Sequence, residues 1–216
     1  MDSALIDFLK KDYPSHFRVE WDENTMQIRK EQRSKGKFEI RDGQPRIVQY
    51  TGRGVSVINN NSDIAVEIID FEHYINLFRD TDAGIGRKCD FIINPIAGYD
   101  CIVFNELTES ERQYINPFTV PKTGEEKEGK LAYAKKQLEE SIKKFYEVNG
   151  FLDSYKKRVA LFSCRLTDAK PNRIMSQSLK AFRKPQKIFS NIRAHEPLVH
   201  DFIFEQRIYN LEYRIC

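Results

Sequence analysis

Two apolar runs joined by a short turn most constrain what this chain can fold into. They span Cys89–Asn94 and Cys101–Leu107, and a turn from Pro95 to Tyr99 separates them. The second run is apolar on both faces at Ile102-Val103-Phe104, which is typical of a central strand covered on both sides. We therefore predict a buried sheet with these two runs as neighbouring strands.

A helical stripe follows the two strands. Leu131, Ala134, Leu138, Ile142 and Phe145 recur at helical spacing, which predicts a helix from about Leu131 to Val148. Another strand is predicted at Arg158–Ser163 and a further one at Phe202–Arg207, with a final strand pair towards Ile215. Apolar residues make up 40% of the 216, enough to fill a core. The fold class predicted is mixed α/β, of the α+β type.

The part before residue 70 has a different pattern. A short helix, capped by Asp2-Ser3, is predicted to run to about Lys11, with Pro14 ending it. The alternation of Phe17–Trp21 predicts a strand. Asp42-Gly43 predicts a hairpin turn between Phe38–Arg41 and Arg46–Tyr50, and a strand follows at Gly54–Ile58. We predict a helix and antiparallel meander over 1–69 as an extension to an α/β core over 70–216, packed together as one compact domain.

Residues 70–130 supply the remaining connections. Phe71, Tyr74, Ile75 and Phe78 predict a short helix over Asp70–Phe78. The polar segment Glu109–Lys130 is predicted to be a surface loop.

Composition bears on compartment and on function class. No apolar run approaches the ~20 residues of a membrane span, and the first residues lack a basic leader. The four cysteines show no CxxC spacing and are expected to be free thiols in a reducing compartment, so the expected location is the cytoplasm. No nucleotide-binding glycine motif, paired histidine motif or nucleophile elbow is present.

A basic segment near the C-terminus is the main asymmetry of charge, since the net charge is only +3. Between residues 169 and 195 it contains no acid and could follow a phosphate backbone. A solvated basic face remains the alternative. The candidate nucleic-acid-binding residues are Lys170, Arg173, Lys180, Arg183, Lys184, Lys187 and Arg193.

Two acids lie at the ends of the two apolar strands. Asp90 stands near the start of the first and Glu106 near the end of the second. Carboxylates on neighbouring strands can converge on Mg²⁺, which prefers oxygen ligands. Thr108 would share a face with Glu106, because strands have a period of two. Alternatively, Asp90 pairs with Arg87 or Lys88, and Glu106 is an exposed residue at a strand end.

The segments 87–93, 102–108 and 130–142, with Gln137-Leu138, resemble the core of the PD-(D/E)xK nuclease superfamily. That resemblance covers about residues 70–166 and implies a restriction-endonuclease-like fold with Mg²⁺ or Mn²⁺ as cofactor. It implies metal ligands at Asp90, Glu106, the Leu107 carbonyl and a carboxylate from Glu72 or Glu67, with Gln137 near the site.

The family's lysine position holds Thr108 here, which carries no charge. In the resemblance a lysine from the following helix could replace it, and Lys130 or Lys136 is the candidate. The expected function is metal-dependent hydrolysis of nucleic acid, with DNA favoured, in defence or DNA maintenance. The alternative is an inactive protein of this fold that binds nucleic acid or, through the N-terminal β region, a protein partner. A homodimer is compatible with both. A third interpretation is an interaction protein of unrelated fold, which would follow if the two apolar runs did not pair.

Overall fold

A computed structural model describes residues 3–43, 46–60, 64–167, 196–208 and 211–215. Its α-helices are α1 (Ala4–Asp7), α2 (Tyr13–His16), α3 (Phe71–Asn76) and α4 (Lys130–Tyr146). Its strands are β1 (Lys30–Arg33), β2 (Gly36–Ile40), β3 (Ile47–Gln49), β4 (Ser56–Asn60), β5 (Val66–Asp70), β6 (Phe91–Pro95), β7 (Cys101–Glu111), β8 (Phe118–Thr119), β9 (Glu126–Lys127), β10 (Lys157–Thr167), β11 (Glu196–Pro197), β12 (Ile203–Ile208) and β13 (Glu212–Arg214).

The main sheet has seven strands in the order β1-β5-β6-β7-β10-β12-β11. Strands β5, β6 and β7 are antiparallel neighbours. Helix α4 then connects β7 to β10, which runs parallel to β7 and to β12. The two apolar runs therefore pair as predicted, and the mixed α/β class is confirmed. The condition from which the unrelated-fold interpretation would have followed, that the two runs do not pair, is not met.

A second sheet covers one face of the first. Its order is β13-β4-β2-β3, and β13 is parallel to β4 while the other pairs are antiparallel. The hairpin predicted around Asp42-Gly43 is confirmed as β2 and β3. The predicted single meander is wrong in two respects. Strand β1 leaves it and pairs with β5 in the main sheet, and β4 pairs with β2 and not with β3, which precedes it in sequence.

Apolar side chains fill both spaces beside the main sheet. On one face, α3, α4 and the N-terminal helical segments bury a cluster that includes Phe71, Phe104 and Phe145. On the other face, Val103 and Leu161 of the main sheet pack against Phe38 of the second sheet. The alternation of side chains along β7 thus fills two cores at once.

A buried polar contact joins the two sheets. The Ser163 hydroxyl donates to Ser56 Oγ at 2.8 Å and lies 3.0 Å from Asn105 Oδ1. The Asn105 amide donates to the same Ser56 hydroxyl at 3.1 Å. Since all three residues are almost fully buried, these hydrogen bonds offset the cost of removing the groups from water.

The N-terminal helix departs from its predicted end. It continues through a π-helical segment, Phe8–Asp12, into α2 and ends at His16. Pro14 lies in the first turn of α2, where a missing N–H is tolerated, so it does not end the helix.

Two other local predictions are wrong. Phe17–Trp21 is not a strand but an irregular segment whose apolar side chains pack on the core beside α3. The predicted loop Glu109–Lys130 instead contains the end of β7 and the small hairpin of β8 and β9.

The cysteines fall into two groups. Cys89 and Cys164 are buried free thiols, as predicted. Cys101 is disulfide-bonded, contrary to the prediction, and Cys216 lies outside the described residues. Within the described part of the chain, no helix is both long and apolar enough to cross a membrane.

Candidate active site

Asp90 and Glu106 lie on the same face of the main sheet. In the antiparallel pair of β6 and β7, Phe91 stands opposite Asn105 and Ile92 opposite Phe104. Asp90 directly precedes Phe91, the first residue of β6, and Glu106 directly follows Asn105 in β7. Extending the same antiparallel register by one residue therefore places Asp90 opposite Glu106. Because side chains alternate, both acids point to the face on which Ile92 and Phe104 pack beneath α4.

Burial dominates the protonation of both acids. Glu106 is only 5% exposed, and its Oε2 atom is buried without a hydrogen-bond partner. Burial, followed by repulsion from Asp90 and Glu72, raises the pKa of Glu106 to about 10. Burial also raises the pKa of Asp90 to about 7, against the opposing effect of a backbone amide. Without a cation, the pair therefore retains at least one proton at neutral pH.

Backbone contacts fix Asp90 from two directions. The Leu107 amide donates to Asp90 Oδ2 at 2.7 Å. The amides of Phe71 and Glu72, in the first turn of α3, donate to the Asp90 carbonyl at 2.9 and 3.1 Å. These bonds bring the start of α3 next to the carboxylate pair, which explains why the charge of Glu72 affects both acids.

Helix α4 holds the chain that leads into Asp90. The Gln137 side-chain amide donates to the Lys88 carbonyl at 2.8 Å. One turn later, the Ser141 hydroxyl accepts from the Cys89 amide at 2.9 Å and donates to the Gln137 carbonyl at 2.8 Å. Residues 88 and 89 are thus tied to the helix, and the entry of β6 is held in place.

The tip of the β2–β3 hairpin reaches the same region. Arg46 Nη1 lies 2.8 Å from Asp70 Oδ1, and Nη2 lies 3.7 Å from Glu72 Oε2. Its guanidinium also stands 5.3 Å from the ring centroid of Phe91, next to Asp90. The positive charge of Arg46 lowers the pKa of Asp90 and so opposes part of the effect of burial. Asp42, on the same hairpin tip, raises the pKa of both acids of the pair.

The lysines proposed from α4 have other surroundings. Lys136 is exposed and pairs with Glu128 at 2.7 Å. Lys130 is exposed at the first position of the helix. Thr108 is half-buried on the Glu106 face, opposite Cys164 of β10.

Other candidates have different positions. Glu67 stands opposite Asn94, at the far end of β6 from Asp90, and accepts from the Asn94 amide at 2.9 Å. Arg87, one alternative partner of Asp90, instead approaches Glu140 at 3.9 Å. The alternative of an exposed Glu106 does not hold, because that side chain is buried. The candidate nucleic-acid-binding residues from Lys170 to Arg193 lie outside the described residues.

Sequence reasoning missed Arg46, Asp42 and Ser141. The Asp42-Gly43 turn indicated a hairpin tip, but nothing in the sequence told which part of the main sheet that tip would approach. Ser141 lies four residues after Gln137, so helical spacing places both on one face of α4. This spacing could have indicated that Ser141 lies near the site together with Gln137.

The donors present suit a hard divalent cation. Mg²⁺ commonly takes one or two carboxylates and completes its shell with water or phosphate. Asp90 and Glu106 supply two carboxylates, and the unpartnered Oε2 of Glu106 is a buried acceptor that a cation would satisfy. No group of three or more histidine, cysteine or acidic side chains that could hold a metal occurs within the described residues. Any ion here would therefore depend on water or substrate for much of its shell.

Known proteins supply no further guide to the site. Models of protein families, curated proteins and solved structures were each compared with the chain, and none matches it.

Proposed function

We propose that the chain is a metal-dependent nuclease that hydrolyses phosphodiester bonds of nucleic acid, with DNA the favoured substrate. The observation that carries the proposal is the buried carboxylate pair, with Asp90 just before β6 and Glu106 in the middle of the neighbouring strand β7. Keeping two acids next to each other in a buried position costs stability, as their raised pKa values indicate. A pair with this cost is typical of a functional site.

The topology around the pair supports the same proposal. Three antiparallel strands, β5, β6 and β7, are followed by α4 and by β10 parallel to β7. This is the order of elements expected for a restriction-endonuclease-like core, with the two acids at the positions that the resemblance implies. Gln137 on α4 contacts the segment just before Asp90, in keeping with its expected place near the site.

In this proposal, Asp90 and Glu106 hold Mg²⁺ or Mn²⁺ with the Leu107 carbonyl as a further ligand, and the charge of Glu72 acts on both acids. The bound ion supplies charge stabilisation at the scissile phosphate and lowers the pKa of a water molecule. The chain's own residues fix this arrangement: the Leu107 amide orients the Asp90 carboxylate, and Gln137 and Ser141 hold the segment before it.

A cation near the phosphate is also needed to offset negative charge. Thr108 can only donate a hydrogen bond. Arg46 is a better candidate than Lys136, because Arg46 approaches Glu72 and acts on Asp90 whereas Lys136 pairs with Glu128. We propose that Arg46 orients Glu72 and offsets charge at the site.

The test is a cleavage assay on plasmid and single-stranded DNA with Mg²⁺ or Mn²⁺. Asp90→Asn and Glu106→Gln should each reduce the rate by orders of magnitude, because each removes a ligand of the ion that stabilises charge. Asp100→Asn is the matched control, since Asp100 pairs with Lys156 at the far end of the β6–β7 hairpin. Equal cleavage by the wild type and all three variants would refute the assigned site.

The alternative is an inactive protein of the same fold that binds nucleic acid or a protein partner. The uncharged Thr108 and the engagement of Lys136 with Glu128 favour it. Mn²⁺ titration by calorimetry separates the two proposals. Wild-type protein that binds Mn²⁺ and cleaves no substrate would favour the inactive alternative over the nuclease.

A further inference from the structure

A cleft at the open end of the β2–β3 hairpin combines positive charge with an exposed aromatic ring. The cleft has a volume of about 530 Å³. Such a volume falls in the range usual for ligand sites, about 300–1,000 Å³. We call it the Tyr50 cleft, and its lining residues are Arg33, Lys35, Lys37, Phe38, Gln49 and Tyr50.

Tyr50 is the unusual member of this group. Its side chain is 51% exposed, although large aromatic rings are mostly covered in this fold. Lys37 Nζ lies 5.6 Å from the centroid of the ring, within the range of a cation–π contact. Phe38 on the adjacent strand is buried and anchors the floor of the cleft.

The positive charge extends beyond the cleft. Residues 29–37 contain five basic residues and one acid, Glu31. Two of the lining cations have acidic neighbours: Arg33 lies 2.9 Å from Glu31, and Lys37 lies 2.6 Å from Glu212. Both pairs are partly exposed, and exposed ion pairs contribute little stability, so a phosphate can replace the carboxylate at small cost.

An exposed ring among cations matches the chemistry of single-stranded nucleic acid. Proteins that bind single strands stack bases on aromatic side chains and use a basic groove for the phosphates. An acidic peptide could satisfy the cations, whereas a nucleic acid presents both a planar base and a phosphate in every nucleotide. Gln49 adds a side-chain amide that can donate to and accept from a base edge.

We infer that the Tyr50 cleft binds single-stranded nucleic acid, with one base stacked on Tyr50 and the neighbouring phosphates held by Arg33, Lys35 and Lys37. The inference concerns binding and does not depend on the proposed cleavage. The cleft and the carboxylate pair lie towards opposite ends of the β2–β3 hairpin. From Lys37, β2 runs towards Asp42 at the hairpin tip, roughly 17 Å further along at the rise of an extended strand. The charge of Asp42 acts on both acids of the pair.

The test is fluorescence anisotropy with a short labelled single-stranded oligodeoxynucleotide, in EDTA so that no cleavage occurs. Tyr50→Ala should weaken binding roughly 5- to 150-fold, the effect of losing one stacked base. Tyr50→Phe should bind like the wild type, because the ring is retained. Lys35→Ala should reduce the slope of log affinity against log salt by ~0.7, the value for one phosphate contact on a single strand.

The matched controls lie outside the lining of the Tyr50 cleft. Tyr99 is 39% exposed and Lys156 pairs with the exposed Asp100, so Tyr99→Ala and Lys156→Ala remove the same residue types elsewhere. Both controls should bind like the wild type. Circular dichroism of each variant checks that the fold is retained.

Two outcomes would overturn the inference. One is equal affinity for Tyr50→Ala and Tyr99→Ala. The other is competition by polyglutamate as effective as that by unlabelled single-stranded oligonucleotide, which would indicate a general anion surface. Failure of the cleavage assay leaves both measurements unaffected, so the two proposals fail separately.

Discussion

Asp90→Asn should make the protein more stable at pH 8 while it abolishes the proposed function. Burial raises the pKa of Asp90 from 3.8 to about 7 in the folded chain. The unfolded chain therefore loses its proton at lower pH than the folded chain does. Between about pH 4 and about pH 7 the folded state binds more protons, so stability falls as the pH rises through this window.

The magnitude follows from the difference between the two pKa values. At about 1.36 kcal/mol per pH unit, that difference corresponds to about 4 kcal/mol lost by pH 8 relative to pH 3. Asparagine has no charge to desolvate, and its Oδ1 can still accept the bond from the Leu107 amide. We therefore expect Asp90→Asn to gain about 2–4 kcal/mol over the wild type at pH 8 and little at pH 3.

Urea unfolding in EDTA at pH 3, 5 and 8 measures this effect. Asp100→Asn, an exposed control, should stay within about 0.5 kcal/mol of the wild type. Added Mg²⁺ should stabilise the wild type at pH 8, since binding to the folded state alone shifts the equilibrium, and should leave Asp90→Asn unchanged. If the free energy of unfolding of Asp90→Asn at pH 8 were no higher than that of the wild type, the inference that the buried Asp90 carboxylate destabilises the fold would be refuted.

Three further predictions concern other contacts. Arg46→Ala should raise the pKa of Asp90, measured from the pH dependence of urea unfolding in EDTA, whereas Arg46→Lys should keep it nearer to the wild-type value; equal pKa values in all three proteins would contradict the role of Arg46. Ser163→Ala should lower the free energy of unfolding by about 1–3 kcal/mol, because it leaves Asn105 and Ser56 short of buried partners, and an unchanged urea midpoint would count against this. Burial, followed by the charge of Glu106, raises the pKa of the Cys89 thiol, so this thiol should react with a thiol reagent only after unfolding. Rapid labelling of Cys89 in the native protein would contradict its burial.

Periodicity predicted the elements that form the centre of the main sheet. Cys101–Leu107 and the stripe beginning at Leu131 are found as β7 and α4, because a short apolar run next to a turn suits a buried strand and a long stripe at helical spacing suits an amphipathic helix. The hairpin of β2 and β3 was predictable from Asp42-Gly43, a turn signal with a local physical cause.

The errors arose where tertiary contacts outweigh local pattern. Phe17–Trp21 alternates like a strand, yet its apolar side chains pack on the helical side of the core without a strand partner. Pro14 was expected to end a helix, but a π-helical segment before it shifts the register so that it enters a first turn. Neither effect is visible in a window of a few residues.

The candidate site was predictable only in part for the same reason. Strand order placed Asp90 and Glu106 on neighbouring strands, and the period of two explains why they share a face. The approach of Arg46 depends on how the second sheet lies on the first. That packing is set by long-range contacts such as those of Phe38, which no local pattern encodes.

The parallel pairing of β13 with β4 has a consequence for how the protein is made. Glu212 stands opposite Val57 and its side chain accepts from the Asn59 amide at 3.2 Å. While the chain emerges from the ribosome, the outer edge of β4 stays uncovered until β13, some 150 residues downstream, has been synthesised. During that interval the exposed edge is open to pairing with another nascent chain, so rapid translation of the intervening residues would reduce the risk of aggregation.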